Sequence, residues 1–142
     1  GAVADGYRSD ETCTFILGRA EGEFRKAYEI VKEAHDRALD AVKAGVPCRE
    51  LDRIARQCIE AKGYGLHFSH GTGHGVGLDV HEAPRLSPLS EEILAAGMVI
   101  TVEPGIYLPG RWGIRIEDMA VVREDGAEVL TEMSKEMKII EI

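Results

Sequence analysis

Three histidines and four glycines crowd into residues 70–84, His70-Gly71-Thr72-Gly73-His74-Gly75-Val76-Gly77-Leu78-Asp79-Val80-His81-Glu82-Ala83-Pro84. Glycine lets a backbone approach another group closely because no Cβ intervenes. Imidazole ligates metals or carries a proton near neutral pH. One histidine alone is commonly a core residue bonded to a carbonyl. Three of them, His70, His74 and His81, beside this glycine run are expected to belong to a site.

Two acids stand out for a different reason: each sits in an otherwise apolar strand. Glu103 follows Met98-Val99-Ile100-Thr101-Val102, and Glu117 lies within Ile114-Arg115-Ile116-Glu117-Asp118-Met119. A buried carboxylate needs a cation, a set of donors or a metal to offset its lost hydration. An ion pair between Glu117 and Arg115 is the plain explanation. Asp10, polar between two strand-like pieces, adds a third acid. Oxygen-rich sites with one imidazole suit Mn²⁺, Co²⁺, Fe²⁺ or Zn²⁺, and several carboxylates can bridge two ions. Two ions flanking a water make it a nucleophile at neutral pH and polarise the carbonyl it attacks, which is the chemistry of peptide hydrolysis.

The elements that must position these groups are legible from periodicity. Residues 1–17 read as a hairpin, with Ala2 and Val3 before the Asp5-Gly6 turn and residues 12–17 returning. Over residues 21–43, Phe24, Tyr28, Val31, His35, Ala38 and Val42 step by four and three, the spacing of one helical face. Gly45 is expected to close that helix and Pro47 to prevent its continuation. His35 lies on the packing face and reads as structural. A second helix is expected over residues 48–62, with Leu51, Ile54, Ala55, Cys58 and Ile59 on one side and Gly63 at its end. Residues 89–96 could add a helical turn or two capped by Ser90. Residues 98–102 form a buried strand, 112–123 a second, and 127–131 return after Asp125-Gly126. Helices followed by antiparallel strands give an α+β class with two helices on one face of the sheet.

Composition bounds the rest. The 142 residues, 44% hydrophobic and 30% charged, suffice for one domain with one site. A net charge of −8 argues against a nucleic-acid partner. Cys13, Cys48 and Cys58 are odd in number and lack close pairing, so free thiols in a reducing, cytoplasmic setting are expected. No apolar run is long enough for a membrane span.

Gly73-His74-Gly75-Val76-Gly77 with His81-Glu82-Ala83-Pro84, then Thr101-Val102-Glu103-Pro104-Gly105-Ile106-Tyr107, then Gly113-Ile114-Arg115-Ile116-Glu117-Asp118 resemble, in order, the motifs of the prolidase and aminopeptidase P family. Tyr7-Arg8-Ser9-Asp10 with Thr12, Thr14 and Phe15 resembles its earlier aspartate motif. The resemblance covers residues 1 to about 123 and implies a curved, antiparallel pita-bread fold and hydrolysis of bonds involving proline in peptides or dipeptides. It implies two divalent ions, with Asp10 and Glu117 bridging them and His74 and Glu103 ligating the second. Glu103 would also take a proton from the bridging water, His81 and His70 would hydrogen-bond substrate, and Arg115 would orient the carboxylates. His67 matches no motif.

The family pattern also has an aspartate ligand two residues before Gly1, an upstream histidine, a first half of the catalytic domain and an amino-terminal domain. Position 13, arginine in that pattern, is cysteine here. Residues 1–142 are therefore expected to be a carboxy-terminal, partial catalytic domain, inactive alone, holding one ion or none, and self-associating as a homo-oligomer. A non-catalytic binding module and a metal-independent, creatinase-like hydrolase are the alternatives that share this fold.

Overall fold

In the computed structural model, which describes residues 1–141, Asp5 and Gly6 take positive φ angles of 50° and 89°. That pair of left-handed residues suits a two-residue hairpin turn, and it folds β1 (Val3–Ala4) onto β2 (Tyr7–Arg8). The returning arm is thus Tyr7–Arg8, not residues 12–17. Within the latter, β3 (Phe15–Leu17) leaves the hairpin and pairs in parallel with β11 (Lys138–Ile140) near the far end of the chain.

Helix α1 (Gly22–Asp40) buries Tyr28, Val31, His35 and Ala38, the face set by the periodicity. It ends earlier than expected. The Ala41 and Val42 N–H groups donate to Ala38 and Leu39, tightening the last turn, as helix ends commonly do. Gly45 therefore does not close the helix; at φ 85° it turns the following loop and donates its N–H to Leu94 O. Helix α2 (Cys48–Glu60) buries Leu51, Ala55, Cys58 and Ile59, with Ile54 only half-buried. Gly63, at φ 86°, ends it, and Tyr64 N–H reaches back to Ile59 O. A single 3₁₀ turn (Gly65–His67) leads on to the histidine stretch.

The main sheet has five antiparallel strands in the order β10-β9-β6-β4-β5, comprising β4 (Gly73–Gly75), β5 (Glu82–Leu86), β6 (Val99–Val102), β9 (Asp118–Val122) and β10 (Ala127–Val129). A separate hairpin joins β7 (Gly105–Leu108) to β8 (Trp112–Arg115). Residues 112–123 are consequently not one strand. Ile116 and Glu117 interrupt them where the chain passes from one sheet to the other, and Glu117 forms a lone bridge with Thr12. Residues 89–96 hold no helix. Glu92 O and Val46 O accept N–H groups from Cys48 and Leu94, so this stretch runs extended beside the α2 entry. These backbone bonds replace the ones a helix there would have made.

The two helices pack on each other, α1 against β6, β7 and β8 and α2 against β5. Tyr28, Leu51, Ile59, Leu86, Ile100, Ile106 and Ile114 form the fully buried core between the layers. Burying each such side chain contributes about 1.5–3 kcal/mol. The sheet's far side, together with residues 9–12, carries the polar groups described next. Cys48 and Cys58 are buried free thiols, and Cys13 is a partly exposed one. No helix among the described residues is long and apolar enough to cross a membrane.

Candidate metal centre

Strand β4 can lie between β5 and β6 only because glycines flank its one side chain, His74. A Cβ on Gly73 would overlap Thr101 O, and one on Gly75 would overlap Ala83 O. The glycines bring three backbones together around His74, which is 4% exposed. Its N–H is held by Thr101 Oγ1 at 3.1 Å. Its ring Nδ1 faces Gly75 O at 3.0 Å. A carbonyl only accepts, so Nδ1 carries the proton and Nε2 is the free position.

Nε2 points at acids. Glu103 Oε1 stands 3.0 Å from it and Asp10 Oδ2 3.8 Å. One atom each of His74, Glu103 and Glu117 lie within 4.8 Å of one another, as do one each of Asp10, His74 and His81. The structure thus gathers Asp10, His74, Glu103 and Glu117 from four separate segments. His81, exposed beside the cluster, sets its ring 4.3 Å from that of His74 and tilted 54° to it.

Each acid is positioned by its neighbours. Glu103 sits just past β6, and its N–H donates to Thr72 O at 2.7 Å. Thr12 Oγ1 donates to Glu117 Oε2 at 2.6 Å and accepts from Arg115 Nε at 3.0 Å. Thr14 Oγ1 donates to Arg115 O at 2.9 Å, so residues 12–14 are laced along residues 115–117 and carry Asp10 to the cluster. Among the described residues Arg115 and Glu117 form no ion pair; the plain alternative of a direct bridge is replaced by this shared threonine.

Carboxylates and imidazoles crowded into a buried site shift one another. Burial pushes the Glu117 carboxyl up to about 7, with the Glu103 and Asp10 charges adding to it against Thr12 and Arg115. Burial also acts on Glu103, but the hydrogen bond and charge of His74, then His70 and Arg115, outweigh it and hold this carboxyl below its usual range. For His74, burial disfavours the cation, yet Glu103, the Gly75 carbonyl and Asp10 together raise the imidazole above its ordinary value. Glu117 Oε1 is buried with no hydrogen-bond partner among the described residues. A buried orphan oxygen beside two more carboxylates and a free imidazole nitrogen is the donor set that a divalent cation satisfies.

A cleft of about 330 Å³ opens beside the cluster, lined by His70, His74, His81, Arg85, Glu103 and Arg115 among others. His70 Nδ1 faces Gly71 O, and its Nε2 lies 2.8 Å from Tyr107 Oη. By the same logic Nδ1 carries the proton of the neutral ring and Nε2 accepts from Tyr107, so donating from Nε2 to a bound molecule requires His70 both to leave Tyr107 and to gain a proton there;. His67, in the 3₁₀ turn, faces Tyr64 instead of the cleft. His35 is buried under the sheet, between Asp36 at 3.0 Å and Asp118 at 3.2 Å. Sequence reasoning missed Asp52, which is 1% exposed on α2. Its only sequence mark was Arg56 one helical turn on, a pairing common on solvated faces.

The sequence profile of Metallopeptidase family M24 matches residues 1–124. Among curated proteins, the Xaa-Pro dipeptidase of Pyrococcus furiosus is 49% identical over 137 residues, which are 96% of this chain and 39% of that protein. Among solved structures, an X-Pro aminopeptidase from Thermotoga maritima superposes with a TM-score of 0.95 at 44% identity, covering 99% of this chain and 39% of that one. An Xaa-Pro dipeptidase from Bacillus anthracis gives 0.93 at 47%, covering 95% and 38%. The chain therefore spans about two-fifths of the length of these relatives.

Proposed function

The chain belongs to metallopeptidase family M24, and from that premise we propose that the protein carrying it hydrolyses peptide bonds involving proline at a centre of two divalent ions. The observation that supports this reading best is the buried, unpartnered Oε1 of Glu117 set among Glu103, Asp10 and the free Nε2 of His74. Asp10, His74, Glu103 and Glu117 would hold the ions, drawn from Mn²⁺, Co²⁺, Fe²⁺ or Zn²⁺, with the two acids Asp10 and Glu117 shared between them. When bound, such ions lower the pKa of a water and polarise the carbonyl under attack.

The chain's own residues supply the remainder. The Glu103 carboxylate, set by the Thr101 hydroxyl and by its own N–H on Thr72 O, would accept the proton of the attacking water;. His81, exposed at the mouth of the cleft, and His70, once it leaves Tyr107 and gains a proton at Nε2, would donate to the oxygen on which charge develops, where a positioned donor is worth most;. Arg115 keeps Thr12 aimed at Glu117 and so orients that acid;.

The test is cleavage of X-Pro dipeptides and of tripeptides containing X-Pro, by protein stripped with chelator and then supplied with Mn²⁺, Co²⁺ or Zn²⁺. Metal-dependent cleavage of dipeptides alone identifies a dipeptidase, and release of the first residue from the tripeptides an aminopeptidase. Cleavage that survives complete stripping overturns the metal reading.

A further inference from the structure

Helix α2 carries an ion pair that the metal centre does not use. Asp52 Oδ1 accepts from Thr72 N–H and Thr72 Oγ1, both at 3.1 Å, and from Arg56 Nη2 at 2.9 Å, while Oδ2 accepts from Arg56 Nε at 2.8 Å. Arg56 directs its other donors at main-chain oxygens, Nη1 at Phe68 O at 3.0 Å and Nη2 at His70 O at 2.8 Å. Its guanidinium lies 4.4 Å from the centre of the Phe68 ring, and that ring meets His70 edge-on.

A solvated pair one helical turn apart contributes little and holds nothing else in place. This one is buried at the acid and grips residues 68–72 at three points. The grip reaches the site twice. His70 leaves the Arg56 contact to meet Tyr107 in the cleft. Thr72, held through both N–H and hydroxyl, presents its carbonyl to the Glu103 N–H. A buried ion pair is seldom better for stability than apolar residues of equal size. A planar, five-donor fork does, however, fix the direction of every group it touches.

We propose that Asp52 and Arg56 are positioning residues: they act through the backbone of residues 68–72 to set the direction of the His70 imidazole and the seat of Glu103. The kinetic part of this rests on the peptidase reading above; the geometric part does not.

Arg56→Lys keeps the charge and removes the fork. In the intact protein that carries this chain, loaded with Mn²⁺, kcat on alanyl-proline is expected to fall about tenfold or more with KM changed less than threefold, because small displacements of reacting groups act on the chemical step. In the metal-free protein, the His70 imidazole resonances, identified with His70→Gln, are expected to move while the protein stays folded. Arg53→Lys, on the exposed side of the same helix and paired with Glu50, is expected to change neither. Should Arg56→Lys fail to fold, Thr72→Val removes one hydroxyl from the same network and is read identically. Unmoved His70 resonances in a folded variant overturn the inference, as does an unchanged kcat in an active one. If the intact wild-type protein that carries this chain cleaves no X-Pro substrate, the peptidase reading fails while the His70 resonances still decide the positioning.

Discussion

His74 Nε2 lies 3.0 Å from Glu103 Oε1, and because the other ring nitrogen is committed to Gly75 O, this contact marks where a cation or a proton must go. His74→Ala and Glu103→Ala are therefore each expected to weaken uptake of Mn²⁺ or Co²⁺ by on the order of 100-fold. Titration calorimetry on the stripped protein measures this. Uptake of wild-type strength in both variants would remove these residues from the ligand set.

Proton competition follows from Glu117, whose carboxyl is pushed up to about 7. A ligand must be deprotonated to bind a metal, so Mn²⁺ affinity is expected to be weaker at pH 6 than at pH 8. In the metal-free protein the folded value lies above the unfolded one. The neutral carboxyl's contribution to stability is then full below the ordinary carboxylate range and is lost as pH rises through about 7. Glu117→Gln is expected to abolish that loss, which amounts to roughly 3 kcal/mol. Denaturant unfolding of both proteins with chelator at pH 5 and pH 8 checks the sign.

Glycines at the close approaches are expected to tolerate nothing larger. Gly73→Ala and Gly75→Ala each drive a Cβ into a neighbouring carbonyl oxygen, and overpacking of this kind costs about 1–3 kcal/mol or more. Gly63 has open space around it, so Gly63→Ala pays only for its positive φ, about 1 kcal/mol. Thermal melts should rank the three, with the β4 pair losing metal affinity as well.

Asp118 anchors the end of the chain. Its Oδ1 accepts from Lys135 Nζ at 3.1 Å and from the Thr131 hydroxyl. Burial alone would raise this carboxyl, but the nearby His35 ring, the Thr131 hydroxyl and the Lys135 ammonium hold it below its usual value. The resulting stability is present above the unfolded value and is lost as pH falls through the folded one. Lys135→Met is expected to cost roughly 3 kcal/mol at pH 7, and less near pH 3, where Asp118 takes up its proton in the variant first. Urea unfolding at the two pH values measures the difference.

The acids that the fold gathers beside His74 stood out because they broke a pattern: Glu103 follows and Glu117 interrupts an apolar run, and Asp10 is polar between two strand-like pieces. The α1 and α2 faces were legible from period alone. What escaped the sequence was long-range pairing. Nothing in Lys138–Ile140 says that it will pair with Phe15–Leu17, because a three-residue strand carries almost no period. Residues 89–96 have the residues of a helix start, but Pro47 and Val46 offer them backbone partners that local propensity cannot foresee. Asp52 escaped for the opposite reason. It obeys the spacing of an ordinary surface pair, and only the fold buries it.

The interruption at Ile116 and Glu117 has one more consequence. On its two sides the chain answers to different partners, β7 before and β6 with β10 after. A slip of one residue in either pairing would present Ile116 or Asp118 where Glu117 belongs, since neighbouring residues face opposite ways. On the proposed reading, such a slip would take the Glu117 carboxylate out of the cluster, so cation affinity would report on the alignment of both ladders.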